Sequence, residues 1–259
     1  MRIGVFLPSD DPAGIAAAAR HAEESGLDSV WSTDHLIASG PILDSSVVLA
    51  AAAGATTRVT LGYGVLLLAL RRVAVAAKQI STLQLVSGDR VVLGVGTGNP
   101  AHGDAGWRAA GASFADRGRH TDEALRVLPA LVTGRSAVVE DGLEIALEPG
   151  SPMPPVLVGG DGARARRRAA EFGDGWISVA STPDRVAAGL ADLRAAAAAR
   201  GRPVPGATVV APILDGSVRR AAGQLAAYAE AGAEELVLAP DPEGWRRGYD
   251  VAAELRSLH

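Results

Sequence analysis

Short runs of β-branched and apolar residues alternate along this chain with Ala-rich stretches whose apolar positions recur at helical spacing. That alternation is the mark of repeated strand-helix units around a parallel sheet. Strands are expected at 3–7, 29–32, 59–63, 91–95, 156–158, 176–179, 208–211 and 236–238. Helices are expected at 12–25, 43–55, 73–86, 116–132, 163–172, 183–200, 218–231 and 244–257. Thr182-Pro183 opens one helix with proline at its first position, and Gly26, Gly173 and Gly232 each close a unit. The segment 136–147 alternates on both sides of Asp141-Gly142, so a small hairpin is expected between the fourth helix and the fifth strand. Eight strand-helix pairs favour one closed (β/α)8 barrel, a single domain over 1–259, against an open doubly wound sheet, which usually has fewer strands.

Composition narrows the partners. Of the 259 residues 48% are apolar and 21% charged, enough for a large core in an ordinary globular protein. The formal charge of −4, without a long Lys/Arg run, argues against nucleic acid and anionic membranes, whose binding depends on neutralising phosphate. The chain has no cysteine, so disulfides, thiolate metal sites and cysteine nucleophiles are excluded, and redox work needs a bound cofactor. Its first residues, Met1 to Pro8, hold too short an apolar run for a signal peptide and read as a first strand, which points to a cytoplasmic protein.

In a barrel the chemistry sits at the C-terminal ends of the strands. Those ends are Pro8, Thr33-Asp34-His35, Gly62 to Val65, Gly96 to Asn99, Gly159 to Gly162, Ser178 to Ser181, Pro212 and Ala239-Pro240. Three of the strands end in glycines, forming one bed where backbone amides can meet a large phosphorylated ring. Gly94-Val-Gly-Thr-Gly98-Asn99 has a misplaced third glycine and no helix start after it, so it is not a dinucleotide fingerprint; the alternative to a cofactor loop is a plain glycine-rich turn. Gly159-Gly-Asp-Gly162 follows a strand and opens a helix, an anion site by exposed N–H groups and helix dipole. Arg164, Arg167 and Arg168 either reinforce it or form a solvated helix face, and Asp161 opposes a phosphate unless its carboxylate points away or accepts backbone bonds.

Asp34-His35 stands where a barrel places catalytic side chains, and histidine exchanges protons near neutral pH. The competing reading is a capping Asp beside an incidental His. His102 in the glycine-rich loop, His120 in a charged helix start and the terminal His259 are weaker candidates. Gly62-Tyr-Gly64-Val65 permits a bulge that presses against a planar ring, or is a turn needing Gly64 for its dihedral angles. Trp107 and Phe114 either wall an apolar substrate pocket or pack in the core, and Arg117 and Glu123 read as helix-level polar contacts.

Several longer stretches carry a family likeness: Ala22-Glu-Glu-Ser-Gly-Leu-Asp-Ser-Val-Trp-Ser-Thr-Asp-His-Leu36, Ala77 to Gly98, Phe114-Ala-Asp-Arg-Gly118, Pro154-Pro-Val-Leu-Val-Gly-Gly160, Asp174-Gly-Trp176 and Ala231 to Leu238. On these the chain resembles the luciferase-like flavin and deazaflavin oxidoreductase family over nearly its full length. The resemblance implies a (β/α)8 barrel whose cavity holds reduced FMN or the deazaflavin coenzyme F420, usually in a homodimer acting on a small-molecule substrate. It implies a bulge and a non-prolyl cis peptide at Gly64-Val65 behind the ring, phosphate contacts at Gly159 and Gly160, and catalytic roles for His35, in proton transfer, and for Asp34. The cofactor bed so assembled is Gly64, Val65, Gly96, Thr97, Gly98, Gly159, Gly160, Asp161 and Gly162, with no metal.

The chain departs from the family's pattern at Asp161 and in its short loops around 136–152. A short lid leaves the cavity open, which disfavours monooxygenation through an oxygen adduct needing a dry site and favours hydride transfer through F420. The alternatives are an FMN-dependent monooxygenase and a catalytically silent flavin-binding barrel.

Overall fold

The computed structural model describes residues 1–179, 181–211, 218–241 and 243–258; Pro212 and His259 lie outside them. In chain order the elements are β1 (Arg2–Phe6), α1 (Ile15–Glu24), β2 (Ser29–Ser32), α2 (Ser45–Ala55), β3 (Thr60–Leu66), α3 (Val73–Ser87), β4 (Val91–Val95), α4 (Ala105–Ala109) and α5 (Arg117–Val132). They continue with β5 (Ala137–Val138), β6 (Glu144–Ile145), β7 (Val156–Gly159), α6 (Ala163–Phe172), β8 (Gly175–Val179), α7 (Pro183–Ala198), β9 (Gly206–Ala211), α8 (Val218–Glu230), β10 (Ala233–Leu238) and α9 (Trp245–Ser257). Eight of the strands close into a parallel barrel in the order β1-β10-β9-β8-β7-β4-β3-β2.

Local chemistry sets the element ends. Asp44 caps α2 by accepting the Val47 N–H at 3.0 Å, so that helix starts two residues later than the apolar pattern alone places it. Residues 12–14 form a 3-10 turn rather than the first turn of α1, because the Asp11 side chain accepts the Gly14 N–H. α3 ends on Gly88 in the left-handed region at φ 70°, where a Cβ is unfavourable. β5 and β6 pair as the expected hairpin, but a 3-10 turn over Glu140–Gly142 joins them in place of a two-residue turn.

Along each strand alternate side chains face outward to the helices and inward to the axis. Ile3, Val5, Val30, Leu61, Leu93 and Val158 belong to the outer core with the helices, while Phe6, Trp31, Leu157, Ile177 and Val237 form a separate cluster inside. Trp31 is the largest inward group, and its neighbours yield to it. A Cβ on Gly62 would lie 2.2 Å from the indole, and one on Gly4 2.1 Å from the Ser29 hydroxyl that accepts the indole N–H. Below Trp31 the Ser29 hydroxyl donates to the buried Glu235 carboxylate, which Arg2 meets from outside at 3.2 Å. Burial raises the Glu235 pKa against the opposing pull of Arg2 and Ser29. This polar stack and the cluster above it fill the lower barrel, so the open space lies at the C-terminal ends of the strands.

Candidate active site

β3 runs three residues beyond the expected Tyr63, because its pairing with β4 slips between Tyr63 and Leu66 and then resumes. The bulge and the cis Gly64–Val65 peptide expected there are both present. Val65 reaches across the rim: a Cβ on Gly96 would sit 2.3 Å from one of its methyls, and a Cβ on Gly159 2.8 Å from the other. The two glycines at the ends of β4 and β7 are the slots that receive it. Gly98 stands at φ +81°, with Trp107 3.1 Å from where its Cβ would be. Gly96→Ala is therefore expected to displace Val65 and weaken ring binding at least tenfold while leaving a folded barrel, read by cofactor titration beside circular dichroism; unchanged affinity would mean that Val65 is not part of the floor.

After β2, the Asp34 carboxylate is buried and fully engaged. Arg71 grips it with two N–H groups at 2.7 and 3.0 Å, and the Leu67 N–H donates to it at 2.8 Å. This fork joins the loop after β2 to the 3-10 turn Leu68–Leu70 after β3. Asp34 thus accepts from fixed donors, a positional arrangement, while the next residue carries the free imidazole.

His35 is half-buried on the cavity wall, its ring 4.5 Å from that of His102 in an edge-to-face contact at 69°. Burial foremost, and then His102, hold the His35 pKa below the usual histidine value, and the Asp34 charge only partly opposes them. The imidazole is therefore neutral at pH 7, able to take a proton. His102 itself sits in the 3-10 turn Pro100–His102, where the Asn99 side chain accepts the Ala101 N–H and the Ser39 N–H approaches His102 Nδ1 at 3.4 Å. Sequence reasoning ranked His102 low because nothing in a glycine-rich loop shows which way its side chains turn.

At the third glycine turn, Asp161 points to β8. Its carboxylate accepts the Ser178 hydroxyl at 2.5 Å and the Val179 N–H at 3.1 Å, so the repulsion expected of it is diverted from the amides that follow. Those amides open α6, whose N-cap Gly162 supplies no side chain to bond them. Arg167 and Arg168 follow neither of the two readings open to them, the anion site or a solvated helix face: both bind Asp122 of α5, Arg167 at 2.8 Å. Arg164 is exposed on the cavity wall. Trp107 is buried in α4, an element absent from the sequence reading because five residues show no helical period, and it meets Phe114 at 5.9 Å beside Leu67 and Leu70.

All these ends border one cavity of about 1140 Å³ that takes in His35, Val65, Thr97, Gly98, Gly160 and Asp161. It exceeds the usual volume of a site for a single small ligand, roughly 300–1,000 Å³. Its lining includes the Gly64–Val65 step, the glycines at 96, 98, 159 and 160, the N-terminus of α6 and the two imidazoles of His35 and His102. Such a set suits a tricyclic cofactor with a phosphate and a substrate beside it.

Comparisons with known proteins agree with this geometry. The family model described as luciferase-like monooxygenase matches residues 1–236. A 5,10-methylenetetrahydromethanopterin reductase of Methanolobus tindarius is 29% identical over 98% of this chain and 77% of its own length. An F420-dependent glucose-6-phosphate dehydrogenase of Nakamurella multipartita is 32% identical over 65% of this chain and 52% of its length. The chain spans about half the length of several of the curated relatives it matches. Among solved structures, an F420-dependent secondary alcohol dehydrogenase in complex with an F420-acetone adduct superposes with a TM-score of 0.83 at 19% identity, covering 98% of this chain and 97% of that one. With the family model matched over most of its length and the eight-stranded barrel in place, the chain belongs to the luciferase-like monooxygenase family.

Proposed function

We propose that this protein is a coenzyme F420-dependent oxidoreductase that moves a hydride to or from a small organic substrate, with His35 handling the accompanying proton. The observation that carries the reading is the half-buried His35 imidazole, edge to face with His102, standing on the same cavity as Gly64–Val65 and the α6 N-terminus. Relatives that depend on F420 support it from outside the chain. When bound, the deazaflavin supplies a hydride donor and acceptor at its C5 position. The protein's part is binding and proton handling. Val65, seated between Gly96 and Gly159, provides an apolar surface for the ring, and Thr97 and Gly98 line the adjacent wall. Asp161, Gly162 and the first residues of α6 offer backbone donors at the phosphate end, while the Gly160 N–H, expected to join them, is already given to the Ile177 carbonyl at 2.9 Å. Asp34, fixed by Arg71, holds the backbone from which His35 reaches the cavity, and His35 accepts the proton released as a substrate hydroxyl becomes a carbonyl, or returns it in the reverse direction.

Parallel titrations with coenzyme F420 and FMN, followed by quenching of cofactor fluorescence, test this choice. Binding of F420 with little affinity for FMN is expected, and binding of FMN alone would replace the proposal with a flavin monooxygenase.

The same reading includes a homodimer. The exposed side of α2 presents Val47, Ala50, Ala51 and Gly54, and α3 beside it presents Val75, Leu85 and Val86. An apolar face of this extent gains by burial against a second copy. Light scattering should give twice the chain mass, falling to the monomer in Val47→Lys; a monomeric parent protein would remove this part. Among the described residues no helix is long and apolar enough to cross a membrane.

A further inference from the structure

A second cavity adjoins the first. It has a volume of about 260 Å³ and lies at the ends of β1, β2, β9 and β10, where Phe6, Leu43, Val48, Val210, Ala239 and Pro240 border it. Ser9, Thr33, Ile42, Gly64, Val179 and Val210 border both spaces, whereas Val65 and His35 border only the larger one. The annex therefore begins at the Gly64 end of the Gly64–Val65 step.

The two spaces differ in kind. Asp34, His35, His102 and Asp161 border the larger cavity, and among the described residues no ionisable side chain borders the annex. Its polar side chains are the hydroxyls of Ser9, Ser32 and Thr33. The backbone here offers little more: the Phe6 carbonyl accepts the Tyr249 hydroxyl at 2.9 Å, and the Leu7 N–H donates to the Trp31 carbonyl at 2.8 Å. Pro8 and Pro240 have no N–H to give. A carboxylate or phosphate placed in the annex would lose its water and meet no cation. An alkyl or aryl group would gain from the same burial. A cavity of about 150 Å³ with aliphatic walls holds benzene, so this one takes a group of roughly ten carbons.

We infer that the annex seats an uncharged, apolar arm of the substrate, so that this protein acts on a hydrophobic alcohol or ketone and rejects one whose arm carries a carboxylate or phosphate. The inference rests on the F420 reading above, in which the ring lies against Gly64–Val65 and the annex starts at Gly64. Ala239 and Leu43 border the annex without bordering the larger cavity, which makes them the residues that set the length of arm accepted.

The test loads the full-length protein with oxidised coenzyme F420 and titrates methyl ketones of rising chain length, from butanone to dodecanone, by calorimetry. Ketone and oxidised cofactor have no hydride to exchange, so binding is read without turnover. Affinity is expected to rise roughly fourfold per added CH2 until the arm reaches about ten carbons, and then to level off. The oxo acid of the same length as nonanone, ending in a carboxylate, should bind roughly a hundredfold more weakly than nonanone. Ala239→Phe should lower the affinity for nonanone relative to butanone by roughly tenfold, and Leu43→Ala should carry the rise on to longer ketones. Cofactor titration of each variant checks that the barrel is intact. Affinity independent of chain length, a carboxylate tolerated as well as the alkyl arm, or an unmoved nonanone-to-butanone ratio in both variants would overturn the inference and leave the F420 reading standing. Failure of the parent protein to bind F420, seen before any ketone is added, would overturn the functional reading itself.

Discussion

His35→Ala should reduce turnover by roughly a hundred- to ten-thousandfold, the usual worth of a positioned general acid-base group, while cofactor affinity stays close to that of the parent. The ring is held by backbone and Val65, so removing an imidazole from the wall leaves the floor and the phosphate end intact. The pH dependence refines the prediction. Burial and His102 depress the His35 pKa, so the proton-accepting form prevails at neutral pH and activity in the alcohol-oxidising direction falls as pH drops through that lowered value. The stability contribution has the same sign. The folded protein favours neutral His35, so this stabilisation is present above the ordinary histidine range and is lost on acidification through the folded-state pKa. His102→Gln removes the second cause of the depression but not burial, the first, and should move the acid limb to higher pH by part of the shift. Full turnover in His35→Ala would leave the proton to another group, and an unmoved limb in His102→Gln would mean that His102 does not hold the His35 pKa down.

Arg71→Met should destabilise the protein by about 3 kcal/mol, among the largest effects available outside the hydrophobic core. Asp34 is almost completely buried, with its side chain 3% exposed, and Arg71 supplies two of the three hydrogen bonds that compensate the carboxylate. Truncating the arginine leaves a charge that neither water nor another cation reaches. The value sits at the low end of the range for a broken buried pair because the Arg71 side chain is 20% exposed. The double variant Asp34→Asn/Arg71→Met removes the stranded charge as well and should recover much of the loss. Denaturant unfolding of the parent, both single variants and the double completes the cycle. A loss below about 0.5 kcal/mol in Arg71→Met would show that the fork is dispensable and that His35 is positioned by other means.

The alternation of apolar runs with Ala-rich helical stretches was enough to reveal eight strands and their partners, because each unit needs only its local period to be recognised. The glycines at 96, 98, 159 and 160 were legible for a similar reason: a strand that ends in them at a barrel rim leaves room for something else. The partner of each glycine was not legible. Val65 fills the slots of Gly96 and Gly159 from positions 31 and 94 residues away, and only the closed barrel brings them together. The same holds for Arg71 on Asp34 and for Asp122 on Arg167 and Arg168, pairs whose members lie on different units. A run of three arginines, Arg166 to Arg168, looks like one charged face, yet Asp122 draws two of them to α5 while Arg166 turns to Asp192 on α7. Arg166 also gives an N–H to the Asp161 carbonyl of the glycine turn, and Arg164, outside that run, is exposed on the cavity wall. The contact of His102 with His35 was not legible for a different reason, since a loop carries no periodicity from which to infer that two histidines 67 residues apart touch edge to face.

A crystal structure with coenzyme F420 bound is the most direct measurement. The ring is expected against Gly64–Val65 with His35 on the facing wall, and its phosphate within hydrogen-bond distance of the backbone amides from Asp161 to Arg164. A ring lodged outside the barrel mouth, or a phosphate remote from the start of α6, would contradict the site described above.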